Sequence, residues 1–467
     1  MSDTPYHYQT ITEIAARIRS GELTSVSLTQ TLLDRISATD ANLKSYVTVT
    51  ADLAMQAAER ADSELSEGRD RGPLHGIPIA LKDLYFTKGI PTMGGSQALA
   101  DHTPDFDGTA VARLSEAGAV LLGKLNLTEG AMGGYNPEFQ VPVNPWKSDH
   151  WAGASSSGSG VATAAGQCFA SLGSDTGGSI RFPAAACGTV GLKPTWGRVS
   201  RYGVLPLAES LDHVGPLTRS VEDAAIVLDA MAGHDPNDPT SLPDLVSDAR
   251  EKLGEPMAGI RIGYAERYAT DGVDPEMAAS VREAIRILEG LGAQVIDVSL
   301  PNIDPYVSAW KTLCSSEAVA AHRSTYPSRR DDYGPWFRDW LDTGAAVNAA
   351  EYAEAHYLRL ACNGHFRSAF QEIDILACPS MTAPAHPVTR EVLYGRFPTD
   401  RQPKFQRFTA PFDYNGAPTL SIPSRMSSDG LPLSLQLIGK PLSEPLLCQV
   451  GHAYERETEW QNHHPKV

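Results

Sequence analysis

The chain has 467 residues, 42% apolar and 20% charged, a length and balance that support a large folded core without disulfide or metal staples and exclude extended disorder. Its formal net charge of −17, with no Lys/Arg-rich run, argues against a nucleic-acid partner; it says nothing of a substrate, because local groups set the field inside a pocket. The six cysteines form no CxxC pair, no run of about 18 apolar residues occurs, and MSDTPYHYQT lacks the basic and apolar regions of a signal peptide, so a cytoplasmic protein with no membrane partner is expected.

Residues 11–61 are helical in character. Thr10, Thr12 and Ser25 are candidate N-caps, and Ile11, Ile14, Ala15 and Ile18 recur at helical spacing. The stretch PLHGIPIALKD, 73–83, reads as a turn and a short apolar strand that delivers Lys82 and Asp83 at its end. A helix over 109–116 and a strand over 119–122 begin an α/β alternation. Residues 153–197 are rich in Gly, Ser and Ala, and 235–243 forms a surface loop. Alternation resumes with a strand at 260–264, a helix opened by Asp274-Pro275 and running to about 288, and a strand at 293–298. Helices at 306–321 and 349–370, an apolar run at 373–378 and strands at 418–423 and 433–438 complete the chain.

A Gly/Ser-rich stretch commonly means a flexible linker. Here Val161, Phe169, Leu172, Ile180 and Leu192 interrupt the small residues often enough for a buried strand-and-helix unit. A phosphate loop fails as well: Gly118–Lys124 has the Walker spacing, but Leu125 stands where Mg²⁺ needs Ser or Thr, and Lys124 reads as a structural or surface lysine. Nucleophilic catalysis remains. In Asp175-Thr176-Gly177-Gly178-Ser179 two glycines allow consecutive N–H groups to converge beside a serine hydroxyl, which suits an oxyanion. No histidine supplies the base: there is no G-x-S-x-G elbow, and His75 and His213 read as structural or surface residues. A lysine made less basic by burial can serve, and Lys82 is the natural candidate.

These residues resemble the amidase signature hydrolases. GIPIALKD, GASSSG, DTGGSIRFP, FTAPFDYNGAP and GLPLSLQLIG appear in the order of that family and span most of the chain. The resemblance implies Ser179 as nucleophile, Ser155, 24 positions upstream, as the serine of a cis Ala154–Ser155 peptide, and Lys82 as base, with no cofactor or metal. It further implies oxyanion donors among the amides of Thr176, Gly177, Gly178 and Ser179; support from Ser156, Asp175 and Arg181; and a pocket wall at Met132, Gly133, Gly134 and Tyr135. The implied fold is α/β, one domain over 1–467 with a mixed, mostly parallel sheet covered by helices on both faces. Within it lie a helical region (1–70), a catalytic core (71–235) and an α/β region shaping the pocket (255–467).

The activity so implied is hydrolysis of a small-molecule amide by a monomer or homodimer, with esters and carbamates such as urethanes as further substrates. The aromatic residues Tyr326, Tyr333, Trp336 and Phe337 within 310–340 suggest a hydrophobic or aryl amide, although they serve equally well as packing. The rival is the glutaminase component of a tRNA-dependent amidotransferase. Against it, Gln406 stands where that component carries a glutamine-binding Asp, and no Arg-Arg motif is clear around Arg338-Asp339.

Overall fold

The structure, a computed structural model, describes residues 4–244, 247–397, 403–458 and 460–467. Eleven strands form one sheet among these residues. In chain order they are β1 (Tyr46–Val49), β2 (Pro78–Lys82), β3 (Val120–Leu125), β4 (Ala170–Asp175), β5 (Val190–Lys193), β6 (His213–Thr218), β7 (Arg261–Tyr264), β8 (Gln294–Asp297), β9 (Ile375–Cys378), β10 (Thr419–Met426) and β11 (Pro432–Gly439). Their order across the sheet is β1-β3-β2-β4-β6-β5-β10-β11-β9-β7-β8.

The sheet is mixed and helices cover both faces, as expected. It is not mostly parallel. Only the pairs β2–β3, β2–β4, β7–β8 and β7–β9 are parallel, and the other six neighbour pairs are antiparallel. The reason is topological: β6 returns beside both β4 and β5 against their direction, and β10 and β11 form a hairpin through Asp429-Gly430. Two-sided cover explains why β2 and β4 are buried at every position despite their polar residues.

Thr10 caps the helix Ile11–Arg19 in a capping box with Glu13, and Ile11, Ile14, Ala15 and Ile18 are buried against the core. For the next helix, Ser25–Leu43, the cap is Thr24 rather than Ser25, because the Thr24 hydroxyl reaches the Ser27 N–H. The helix Ser157–Ala164 is buried on every side and packs on β2 and β4. Small residues permit that approach: a Cβ on Gly158 would lie 2.5 Å from Asn126 O and 2.6 Å from Ser45 O. The segment is thus among the most tightly packed parts of the molecule, the opposite of a linker.

Candidate active site

Parallel neighbours end on the same edge of a sheet, so β2 and β4 deliver Lys82 and Ser174-Asp175 to one place. The loop before the helix Ser157–Ala164 brings Ser155 and Ser156 to the same edge. Lys82 Nζ lies 2.7 Å from Ser155 Oγ, 3.0 Å from Ser156 Oγ and 2.9 Å from Ser174 Oγ, and all four residues are buried. Ser156 sits at the N-cap position of its helix, yet its hydroxyl serves Lys82 and the backbone of Ser174 (3.2 Å) instead of the helix end. Burial makes the Lys82 ammonium costly and brings its pKa down from 10.5 to about 7, against the opposing pull of Asp175 and Asp212. The Ala154–Ser155 peptide is cis.

Ser179 follows β4 on the turn into the helix Arg181–Cys187 and is partly exposed at the floor of a cleft. Its backbone O accepts from the Ser156 N–H (3.2 Å), so the two serine-bearing loops are adjacent. Its hydroxyl forms no hydrogen bond with Ser155 Oγ among the described residues; the structure closes the Lys82–Ser155 contact and leaves the Ser155–Ser179 contact open.

The turn is held by a carboxylate. Asp175 accepts from the N–H groups of Gly178 (2.5 Å) and Ile180 (2.9 Å) and from Arg181 Nε (3.0 Å) and Nη2 (2.9 Å). Burial alone would raise the Asp175 carboxyl; the Arg181 guanidinium outweighs it and holds that carboxyl well below the usual range. Arg181 also reaches Asp413 Oδ2 (2.5 Å), and burial, joined by the Asp175 charge, pushes Asp413 up against the pull of Arg181. One expectation is corrected here. The Gly178 N–H is committed to Asp175 and is not free to bind an oxyanion, whereas the N–H groups of Thr176, Gly177 and Ser179 have no protein acceptor among the described residues. Gly178 has φ +127°, and a Cβ there would lie 2.4 Å from the Phe182 ring, so glycine is required by the turn.

The cleft above Ser179 opens to solvent and has a cavity volume of about 90 Å³. Met132, Gly133, Gly134 and Tyr135 line it, together with Thr176, Gly177 and Ala154. The facing wall is aromatic: Trp151, Trp310, Trp336 and Phe405, with Phe182 below. Among the described residues lining the cleft there is no Asp, Glu, Lys or Arg. Of the four aromatics singled out in the sequence, only Trp336 reaches the cleft. Phe337 is buried behind Gly130, Tyr333 bonds Thr325 (2.5 Å), and Tyr326 bonds Asp342 (2.7 Å). Gln406 lines the cleft, whereas Arg338 lies outside it near Asp331.

The sequence does not mark Ser174 or the wall residues Trp151, Trp310 and Phe405 as parts of the site. No local pattern marks them, because they come from separate parts of the chain. The three rejected candidates are structural: Lys124 is buried and donates to Tyr85 O (2.7 Å) and Thr92 Oγ1 (2.7 Å), His75 sits against Glu64 (3.1 Å), and His213 against Leu211 O (2.7 Å).

A sequence profile of the Amidase family matches residues 27–448. The chain belongs to the amidase signature family. This amidase is 43% identical to the putative amidase AmiD of Mycobacterium tuberculosis over 98% of its own length and 96% of that protein. It is 39% identical to a glutamyl-tRNA(Gln) amidotransferase subunit of Chloroflexus aurantiacus, over 99% of each. Its fold is similar to the native peptide amidase from Stenotrophomonas maltophilia, with a TM-score of 0.85 at 33% identity, covering 97% and 98% of the two chains. Membership makes the protein a hydrolase of C–N bonds. Among its described residues no helix is long and apolar enough to cross a membrane.

Proposed function

We propose that the protein is a stand-alone amidase for uncharged substrates with an apolar or aryl group, acting through an acyl-enzyme on Ser179. The carrying observation is the buried Lys82 amine, 2.7 Å from Ser155, whose burial lowers its pKa to about 7 and so makes the neutral form accessible. In this reading the neutral amine accepts a proton from Ser155 while Ser155 accepts one from Ser179, and Ser179 attacks the carbonyl carbon. The N–H groups of Gly177 and Ser179, with Thr176 beside them, receive the oxyanion. The relay then runs backwards, gives the proton to the leaving nitrogen, and water releases the acid. The relay requires the Ser179 hydroxyl to meet Ser155 when substrate is bound, and the backbone bond from the Ser156 N–H to Ser179 O keeps the two serine-bearing loops adjacent for it. Esters and carbamates, urethanes included, present the same carbonyl and are expected as further substrates.

The similarity to the glutamyl-tRNA(Gln) amidotransferase component supports a second reading, a glutaminase working inside a complex. The cleft argues against it. Glutamine carries an ammonium and a carboxylate beside its side chain, and the described lining, with no Asp, Glu, Lys or Arg and His386 as its one titratable imidazole, offers no carboxylate to pair the ammonium on desolvation. The test is a panel of aryl anilides, aliphatic amides, esters, carbamates and glutamine, with wild type and Ser179→Ala, together with fluorophosphonate labelling of Ser179. Turnover of apolar anilides by the purified chain, lost in Ser179→Ala, is expected. Hydrolysis of glutamine alone, and only after partner proteins are added, would reject the reading.

A further inference from the structure

Trp310 does two things at once. Its ring lines the cleft, and its indole N–H donates to Thr176 O at 2.6 Å, behind the loop that carries Ser179. The ring also packs on the loop itself: a Cβ on Gly177 would lie 2.4 Å from Trp310 Cζ2. One residue further on, Thr409 Oγ1 donates to Gly177 O at 2.7 Å, and Thr409 is not part of the cleft lining. Two consecutive loop carbonyls are therefore tied from outside.

In a trans peptide the C=O and the following N–H point in opposite directions. The Thr176–Gly177 peptide is trans, so the indole that holds Thr176 O also fixes the direction of the Gly177 N–H, which has no protein acceptor among the described residues. A flexible glycine would otherwise let this peptide rotate, and a donor that must reorient during the reaction stabilises an oxyanion less than one already aimed. We infer that Trp310 is a positioning residue for the oxyanion loop as well as a wall of the substrate cleft, so that the aromatic wall and the rate of the chemical step are coupled through one hydrogen bond. The inference rests on the proposed role of the Ser179 loop. Occupancy of the cleft by an apolar group would press the ring onto the loop and help hold the amide in line.

The two roles separate in kinetics. Trp310→Phe keeps an aromatic wall and removes the donor. With a good anilide or ester substrate of the wild type, the expected result is a fall in kcat of about 10-fold to 100-fold, bounded by the loss seen when a whole oxyanion donor is removed, with KM within about twofold. Affinity for a trifluoromethyl ketone, which mimics the tetrahedral adduct, should fall in parallel with kcat/KM. A risen KM with kcat unchanged would leave Trp310 a wall and overturn the inference. If Trp310→Phe does not fold, replacing Trp310 by benzothienylalanine, an isostere with sulfur in place of the N–H, gives the same test: a lowered kcat supports the inference and an unchanged one overturns it. A wild-type protein that turns over no amide, ester or carbamate would instead reject the reading of the site itself.

Discussion

The floor and the wall of the cleft are built on different principles. The floor is Ser179 and, behind it and out of the lining itself, a buried polar layer of Lys82, Ser155, Ser156, Ser174, Asp175 and Arg181, in which each group is tied to another by a bond of 2.7 to 3.2 Å or an ion pair. The wall, with Trp151, Trp310, Trp336 and Phe405, is apolar and assembled from separate regions of the chain. The comparison separates chemistry from choice of substrate. Replacing a floor residue should remove turnover or stability, whereas replacing Trp151, Trp336 or Phe405 should shift which amide is taken; Trp310, which also holds the Thr176 carbonyl, belongs to both.

The largest effect is expected from Ser179→Ala or Lys82→Ala, each of which should lower kcat by about 10⁴-fold or more, as removal of a member of a catalytic unit does. Ser179→Ala should leave thermal unfolding nearly unchanged, since the hydroxyl makes no hydrogen bond among the described residues; steady-state rates and calorimetry check both. Next comes Arg181→Met, which strands the Asp175 carboxylate in the interior and should reduce the unfolding free energy by about 3–5 kcal/mol, read from urea denaturation. Substrate choice should respond to Trp336→Ala: KM for a bulky aryl anilide should rise by about 10-fold while small aliphatic amides are little affected, because the ring contributes buried area only to the larger group. Equal losses for both classes would break the distinction between floor and wall. The smallest effect is expected for Gln406→Asp, which places a carboxylate in a cleft lined by no Asp, Glu, Lys or Arg among the described residues and should favour amides bearing an ammonium group by less than about 10-fold, measured as a ratio of kcat/KM values.

The same division decides what could be read from the sequence. Floor residues cluster within 153–181, where small residues can only mean close packing, and Lys82 ends a strand that is apolar up to that point. Their roles came from resemblance to the amidase signature hydrolases, and the geometry adds Ser174, which local pattern does not mark. The Gly178 amide departs from expectation because a string of glycines gives no direction for its N–H groups; the Asp175 carboxylate three residues back captures that one. The wall was largely hidden. Four aromatics in one segment are equivalent in the sequence, yet helix periodicity turns Trp336 and Phe337 to different surroundings, and Phe405 and Trp151 join Trp336 around the cleft only in three dimensions. Strand direction is hidden in the sequence for a similar reason: alternation identifies strands, but the return of β6 against β4 and β5 depends on the path of the long loop before it.

The proposed chemistry turns on Lys82, whose burial lowers its pKa to about 7, and its protonation can be watched directly. With ¹⁵N-labelled lysine, and Lys82→Met to assign the resonance, the Lys82 ε-nitrogen should titrate near pH 7, and kcat/KM should rise through the same pH as the amine loses its proton. A Lys82 nitrogen that titrates at its ordinary value near 10.5, with kcat/KM flat across neutral pH, would contradict the account.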